Sequence, residues 1–229
     1  MIENLAEKIG VKFNNLDLLR QAVTHRSYLN EHRDYKLEHN ERLEFLGDAV
    51  LELVVTEHLY NNYSNQEGEM TNWRAALVCG EMLAKISKEI GVEEYLMMSR
   101  GEAKDLGRAR QYLLANAFEA IVGAIYLDQK EKGYDACKEF ILKQVVTKLP
   151  DIIENKLYLD PKSRFQEESQ ERIGTTPAYR VLEESGPDHD KKFIVGAFLG
   201  DDMVAKGEGL SKQEAQRSAA EKALEAKGW

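Results

Sequence analysis

Through the first 150 residues apolar positions recur every three or four places with no two-residue alternation, the pattern of packed helices. Leu16, Leu19 and Val23 share one face of a helix predicted to run on through Tyr28. Leu83, Ile86 and Ile90 repeat before a stop at Gly91, and "ACKEFILKQVV" closes the series. The texture changes after Pro150. Residues 151–160 read as a linker, and 161–174 predict a short helix with Pro161 in its first turn and Gly174 past its last. "AYRVLEESG" and "KKFIVGAFLGDDMVAKGEG" predict strands, alternating or β-branched and cut by Gly-Pro and Gly-Asp-Asp turn signals. A last helix follows, with Ser211 as its cap. The expectation is a mainly α chain: an all-α domain over 1–150, a linker over 151–160, and a small α-β-β-β-α unit over 161–229.

One stretch breaks the ordinary division of polar and apolar faces. In "HNERLEFLGDAVLEL" the acids Glu41, Glu44, Asp48 and Glu52 fall within an arc of about 80° for a helical step of about 100°. Leu43, Leu46, Ala49, Val50, Leu53 and Val54 lie opposite and Phe45, Leu51 and Val55 flank the acids, so most of this helix expects burial. Like charges one turn apart repel, more so when partly desolvated, and need a compensating cation. Arginines such as Arg74, Arg108 or Arg110 are one source. A second polar patch, Asn116 and Glu119 on the apolar run "ANAFEAIVGAIYLD", points to another, in which both patches form one site. Oxygen-only ligands without His or Cys suit a hard cation such as Mg2+ or Mn2+, which activates water and stabilises phosphoryl transition states.

The formal charge of −9 and a pI near 5.2 weigh against a nucleic-acid partner, which is held largely by Lys and Arg. Cys79 and Cys137 lack metal-ligand spacing and read as small buried or half-buried apolar residues in a reducing compartment. The acidic N-terminus does not resemble a signal peptide, and the longest apolar run is interrupted by Asn116 and Glu119, so a cytoplasmic protein without membrane contact is expected.

At "NERLEFLGDAVL" the sequence resembles the signature of the ribonuclease III family. The likeness continues through "THRSY", "EGEMTNWRAALV" and "LANAFEAIVGAIYLD" into a C-terminal double-stranded-RNA-binding domain. The resemblance implies an all-α homodimeric nuclease domain that cuts double-stranded RNA with Mg2+, Mn2+ substituting and no organic cofactor. One strand is cut per site, leaving 5′-phosphate and 3′-hydroxyl ends with two-nucleotide 3′ overhangs. Ribosomal RNA precursors and some messenger RNAs are the implied substrates.

Carried onto this chain, the family pattern makes Asp48 and Glu119 catalytic and Glu44, Asp48, Asn116 and Glu119 metal ligands. It makes Glu41 and Glu67 outer acidic positions of the cleft and Phe45 a dimer contact. Glu52 is left to a surface ion pair, and His25 and Arg26 to structural roles. In the C-terminal domain Ser163, Gln166 and Glu167 match positions that meet 2′-hydroxyls, His189 a loop residue that enters the minor groove, and Lys212 and Gln213 a helix start that meets phosphates. That domain carries eleven basic and thirteen acidic side chains, so each copy is expected to bind modestly, by A-form shape, with dimerisation supplying avidity.

Asn116 departs from the family's usual Asp. An amide oxygen still coordinates but brings no charge, so either the enzyme works at higher Mg2+ or the chain is an RNA-binding protein on an inactive nuclease domain. A reading that sets the resemblance aside, a helical hydrolase with an oxygen-ligand metal site, leaves the C-terminal unit unexplained.

Overall fold

The computed structural model describes residues 2–104, 107–187 and 191–229, the side chain of Arg108 excepted, and its contacts divide the chain into two units between Asn155 and Lys156. In the first unit the expected helix over 16–28 is two helices. α1 (Ile2–Ile9) precedes α2 (Leu16–Ala22); the chain then extends through the β-branched pair Val23 and Thr24, and His25 caps α3 (Arg26–Glu31) by accepting from the Ser27 amide. Thr24 forms an isolated bridge to Met97, whose amide donates to the Val23 carbonyl and whose carbonyl accepts from the His25 amide, both at 2.8 Å. A partner more than seventy residues away decides this break.

α4 (Glu41–Asn62) begins at a buried anchor. Asn40 donates through its side chain to the Ala22 carbonyl at 3.2 Å and through its amide to the Thr24 carbonyl at 2.9 Å, tying the start of α4 to the α2–α3 turn. α5 (Glu67–Val78) and α6 (Gly80–Glu89) follow, then α7 (Arg108–Asp128), α8 (Gly133–Gln144) and α9 (Leu149–Glu154). α9 occupies the first residues of the expected linker, with Leu149 and Ile152 buried. α7 is the central helix, and its far end is fixed by Asp128. That buried carboxylate accepts from the Asn14 amide at 2.8 Å and the Asn15 amide at 2.7 Å.

α4 and α7 make the most extensive helix contact in the unit. Gly47 and Gly123 let the two backbones touch. A Cβ at Gly47 would overlap the Glu119 carbonyl and lie 2.8 Å from the Gly123 nitrogen, and one at Gly123 would overlap the Leu43 carbonyl. Only Leu43, Gly47, Val50, Leu51, Val54, Val55 and Leu59 of α4 are buried. Ala49 and Leu53, expected in the core, are exposed alongside Phe45, because α4 has a single buried face and these residues stand away from it. Cys137 is buried, its thiol donating to the Val122 carbonyl, whereas Cys79 is exposed, contrary to its apolar reading.

The second unit follows the expected order. Asp160 caps α10 (Pro161–Ile173), which ends at Gly174 with φ +66°. β1 (Pro177–Ser185), β2 (Lys192–Leu199) and β3 (Asp202–Gly209) form an antiparallel meander, and Ser211 caps α11 (Lys212–Lys227). Phe165, Phe193, Val195, Ala197 and Leu199 pack against the alanine face of α11. Small residues on that face let the helix lie close on β3.

Candidate active site

The crossing that joins α4 to α7 also brings their polar residues together. Glu44 and Asp48 stand one turn apart on α4, Asn116 and Glu119 one turn apart on α7, and Gly47 sits between the α4 acids with the Glu119 backbone against it. Glu44, Asn116 and Glu119 are half-buried and Asp48 is exposed.

Among the described residues no cation pairs with Glu44, Asp48 or Glu119; the Arg108 side chain lies outside them. Burial pushes the Glu119 carboxyl up to about 7, with the charges of Asp48 and then Glu44 adding to it. Burial also raises Glu44, as do the charges of Glu41 and Asp48, while the Asn116 side chain beside it favours the ionised form. One Glu44 oxygen, Oε2, is buried without a hydrogen-bond partner. Arg110, one of the cations available in sequence, is engaged elsewhere, its guanidinium donating to Glu93 at 3.0 Å. An orphaned carboxylate oxygen amid oxygen-only donors fits a hard divalent cation. As the side chains stand, no three His, Cys, Asp or Glu groups among the described residues converge closely enough to hold one.

The outer acids lie differently. Glu41, at the first turn of α4, faces Arg26 at 3.7 Å and His39 at 3.8 Å, which gives Arg26 a partner at the rim of the site. Glu52 is exposed and forms no ion pair among the described residues. Glu67 begins α5, accepts from the Thr71 hydroxyl at 3.0 Å, and lines a cavity of about 250 Å3 with Thr56, Leu59, Tyr60, Met70 and Arg74. Thr56 lies twelve residues beyond Glu44, about 18 Å along α4, so one copy of the chain does not bring Glu67 to the cluster. Phe45 is 82% exposed, and Leu53 and Tyr60 stand out on the same side of the helix.

In the second unit Ser163, Gln166 and Glu167 are exposed at i, i+3 and i+4 on α10, and Lys212 and Gln213 are exposed at the start of α11. His189 lies outside the described residues. Sequence reading missed Gly47 and Gly123; glycines inside two otherwise apolar helices were the available signal.

A family model described as Ribonuclease-III-like matches residues 15–149, and one for the double-stranded RNA binding motif matches 161–227. Ribonuclease 3 of Desulforamulus reducens is 43% identical over 96% of this chain and 89% of its own length. That of Clostridium acetobutylicum is 42% identical over 98% of this chain and 96% of its own. The solved nuclease domain of ribonuclease III from Campylobacter jejuni superposes with a TM-score of 0.58 at 36% identity, covering 66% of this chain and 99% of that one.

Proposed function

This chain belongs to the ribonuclease III family and is an endoribonuclease that acts on double-stranded RNA, and from that premise we propose that Glu44, Asp48, Asn116 and Glu119 are its catalytic metal site. The single observation that carries the assignment is the buried, partnerless Glu44 Oε2, in a cluster where burial, and then the charges of Asp48 and Glu44, push the Glu119 carboxyl up to about 7. A divalent ion, Mg2+ with Mn2+ as substitute, would supply Lewis acidity and activation of water when bound there. The residues themselves set the stage. Glu44, Asn116 and Glu119 would hold the ion, Glu119 in its ionised form; Asp48 presents an exposed carboxylate, and the Gly47–Gly123 contact holds both helices at one spacing. The reaction is in-line attack of water on a phosphodiester. The bond to the 3′ oxygen breaks, leaving 5′-phosphate and 3′-hydroxyl ends on structured precursors such as ribosomal RNA.

Asn116 tunes rather than abolishes the site, because Glu44, Asp48 and Glu119 still supply three negative charges. Asn116→Asp should lower the half-saturating Mg2+ for cleavage, and the Kd for Mn2+ by calorimetry, by about tenfold, one added carboxylate ligand contributing on the order of 1.4 kcal/mol. Equal Mn2+ affinity in the two proteins would overturn the metal-site assignment.

The active form is a homodimer built on the exposed side of α4. Phe45, Ala49 and Leu53 make an unpartnered apolar stripe, and the cavity lined by Thr56, Leu59, Tyr60 and Met70 lies beyond it along the same helix. An isologous pairing of two α4 helices about a twofold near Leu53 seats each Phe45 toward the other copy's cavity. It also carries each Glu67 toward the other copy's carboxylate cluster, giving that acid its role in the cleft. Phe45→Asp should weaken dimerisation by at least about thirtyfold, the loss of a central aromatic anchor. Sedimentation at micromolar concentration reads this, and an unchanged dimer would remove Phe45 from the interface.

The second unit is the double-stranded-RNA-binding part. Its contacts are Ser163, Gln166 and Glu167 toward the minor groove and Lys212 and Gln213 toward phosphates, with His189, outside the described residues, assigned to the minor groove by the resemblance alone.

A further inference from the structure

On α7 positions 112, 116, 119 and 123 follow one line, at about 0°, 40°, 340° and 20° for a step of about 100° per residue. The surroundings of that line change along it. At Gly123 it lies under the α4 backbone, at Glu119 and Asn116 it is half-buried beside Glu44, and at Tyr112 it is open, with the residue 68% exposed. The carboxylate site therefore opens toward the N-terminal end of α7. Tyr112 stands at that opening, one turn or about 6 Å before Asn116.

The helix beneath Tyr112 is fixed. Leu113, Leu114 and Ala115 are buried, the Ser87 hydroxyl donates to the Leu114 carbonyl at 2.8 Å, and Arg110 is held by Glu93. An aromatic side chain left in water on a rigid element next to a reactive site has an apolar body, a polar tip and little conformational freedom to lose. Being neutral, it neither pairs with Glu44, Asp48 and Glu119 nor repels an anionic backbone. The ribose of RNA offers the matching surface: an apolar sugar face and a 2′-hydroxyl that both donates and accepts.

We infer that Tyr112 is a substrate-positioning residue whose ring packs on the ribose, and whose hydroxyl hydrogen-bonds the 2′-hydroxyl, of a nucleotide flanking the scissile phosphodiester. The inference rests on the assignment of the Glu44, Asp48 and Glu119 cluster as the cleavage site. It gives the nuclease unit its own means of telling RNA from DNA, separate from the C-terminal unit.

The test is single-turnover cleavage by the full chain, its Tyr112→Phe and Tyr112→Ala variants, on RNA duplexes with one 2′-deoxy substitution at each position flanking the cut. Tyr112→Ala should raise the half-saturating duplex concentration about tenfold and Tyr112→Phe about threefold, as loss of a neutral hydrogen bond with and without the ring contact implies. The Mg2+ half-saturation and melting temperature should stay at parental values. One flanking 2′-deoxy position should weaken the parent but not Tyr112→Phe. A Tyr112→Phe variant that keeps the parent's 2′-deoxy profile, or a Tyr112→Ala variant with parental half-saturation, overturns the inference. A parent that cuts no duplex overturns the cleavage-site assignment itself and the inference with it.

Discussion

Glu119→Gln should slow RNA-duplex cleavage by at least about a thousandfold while changing the Kd for duplex RNA by less than about twofold. The first effect follows from removing a charged group from the proposed metal site, which already has a neutral amide at position 116. The second follows because the proposed RNA contacts of the second unit, Ser163, Gln166, Glu167, Lys212 and Gln213, are untouched. The same change should stabilise the metal-free protein. Glu119 is raised from 4.5 to about 7 in the folded chain, so the native state binds the extra proton between those values and loses stability as pH rises through them. Above pH 7 the folded protein bears the whole cost of an ionised Glu119, on the order of 1–2 kcal/mol after allowance for solvent screening. Gln carries no such charge. Thermal unfolding without divalent ions should therefore show Glu119→Gln more stable than the parent at pH 8 and nearly equal to it at pH 4.5. A variant less stable than the parent at pH 8 would mean the carboxylate is already compensated by the fold.

Gly47→Ala should be nearly as damaging to activity without touching a carboxylate. The added methyl overlaps the Glu119 carbonyl, a backbone atom that cannot rotate away, and crowds the Gly123 nitrogen. α4 and α7 must separate, which costs about 3 kcal/mol and lowers the melting temperature by about 10 °C in a unit of this size. At a temperature where the variant remains folded, separation moves Glu44 and Asp48 away from Asn116 and Glu119, and a displacement of about 1 Å costs on the order of a hundredfold in rate. Circular dichroism and cleavage on the same sample check this. Full activity would show that the two pairs need not be held at this spacing.

Much of the candidate site was legible because it follows helical spacing. Glu44 with Asp48, and Asn116 with Glu119, fall at i and i+3 or i+4, and two such pairs on two apolar helices pointed to one shared site as the alternative to separate arginine pairs. The strands were legible because their β-branched and aromatic runs are cut by Gly-Pro and Gly-Asp-Asp turn signals, which hold whether a strand is mostly exposed, as β1 is, or mostly buried, as β2 is. What periodicity could not settle was which apolar face of α4 meets another element. Ala49 and Leu53 share the chemistry of Val50 and Val54, and only the position of α7 separates exposed from buried. The division of 16–28 into α2 and α3 depends on Met97, and the role of Gly47 depends on which carbonyl lies across from it. Glu67 was placed by resemblance alone. The geometry of one chain leaves it at the start of α5, beside Thr56 and away from the cluster, and the proposed pairing of two copies is what would give it a place.

The central claim is that the α4–α7 carboxylates form a working metal site in a chain that carries Asn116. Its most direct measurement is cleavage of a labelled RNA duplex of about thirty base pairs across a Mg2+ series, long enough to span the roughly sixteen base pairs of one double-stranded-RNA-binding domain. Single-stranded RNA, duplex DNA and Glu119→Gln run alongside. The expected result is cutting of the RNA duplex alone, dependent on Mg2+ and lost in the variant, with two-nucleotide 3′ overhangs. Binding of the duplex without cutting at any Mg2+ concentration would contradict the account.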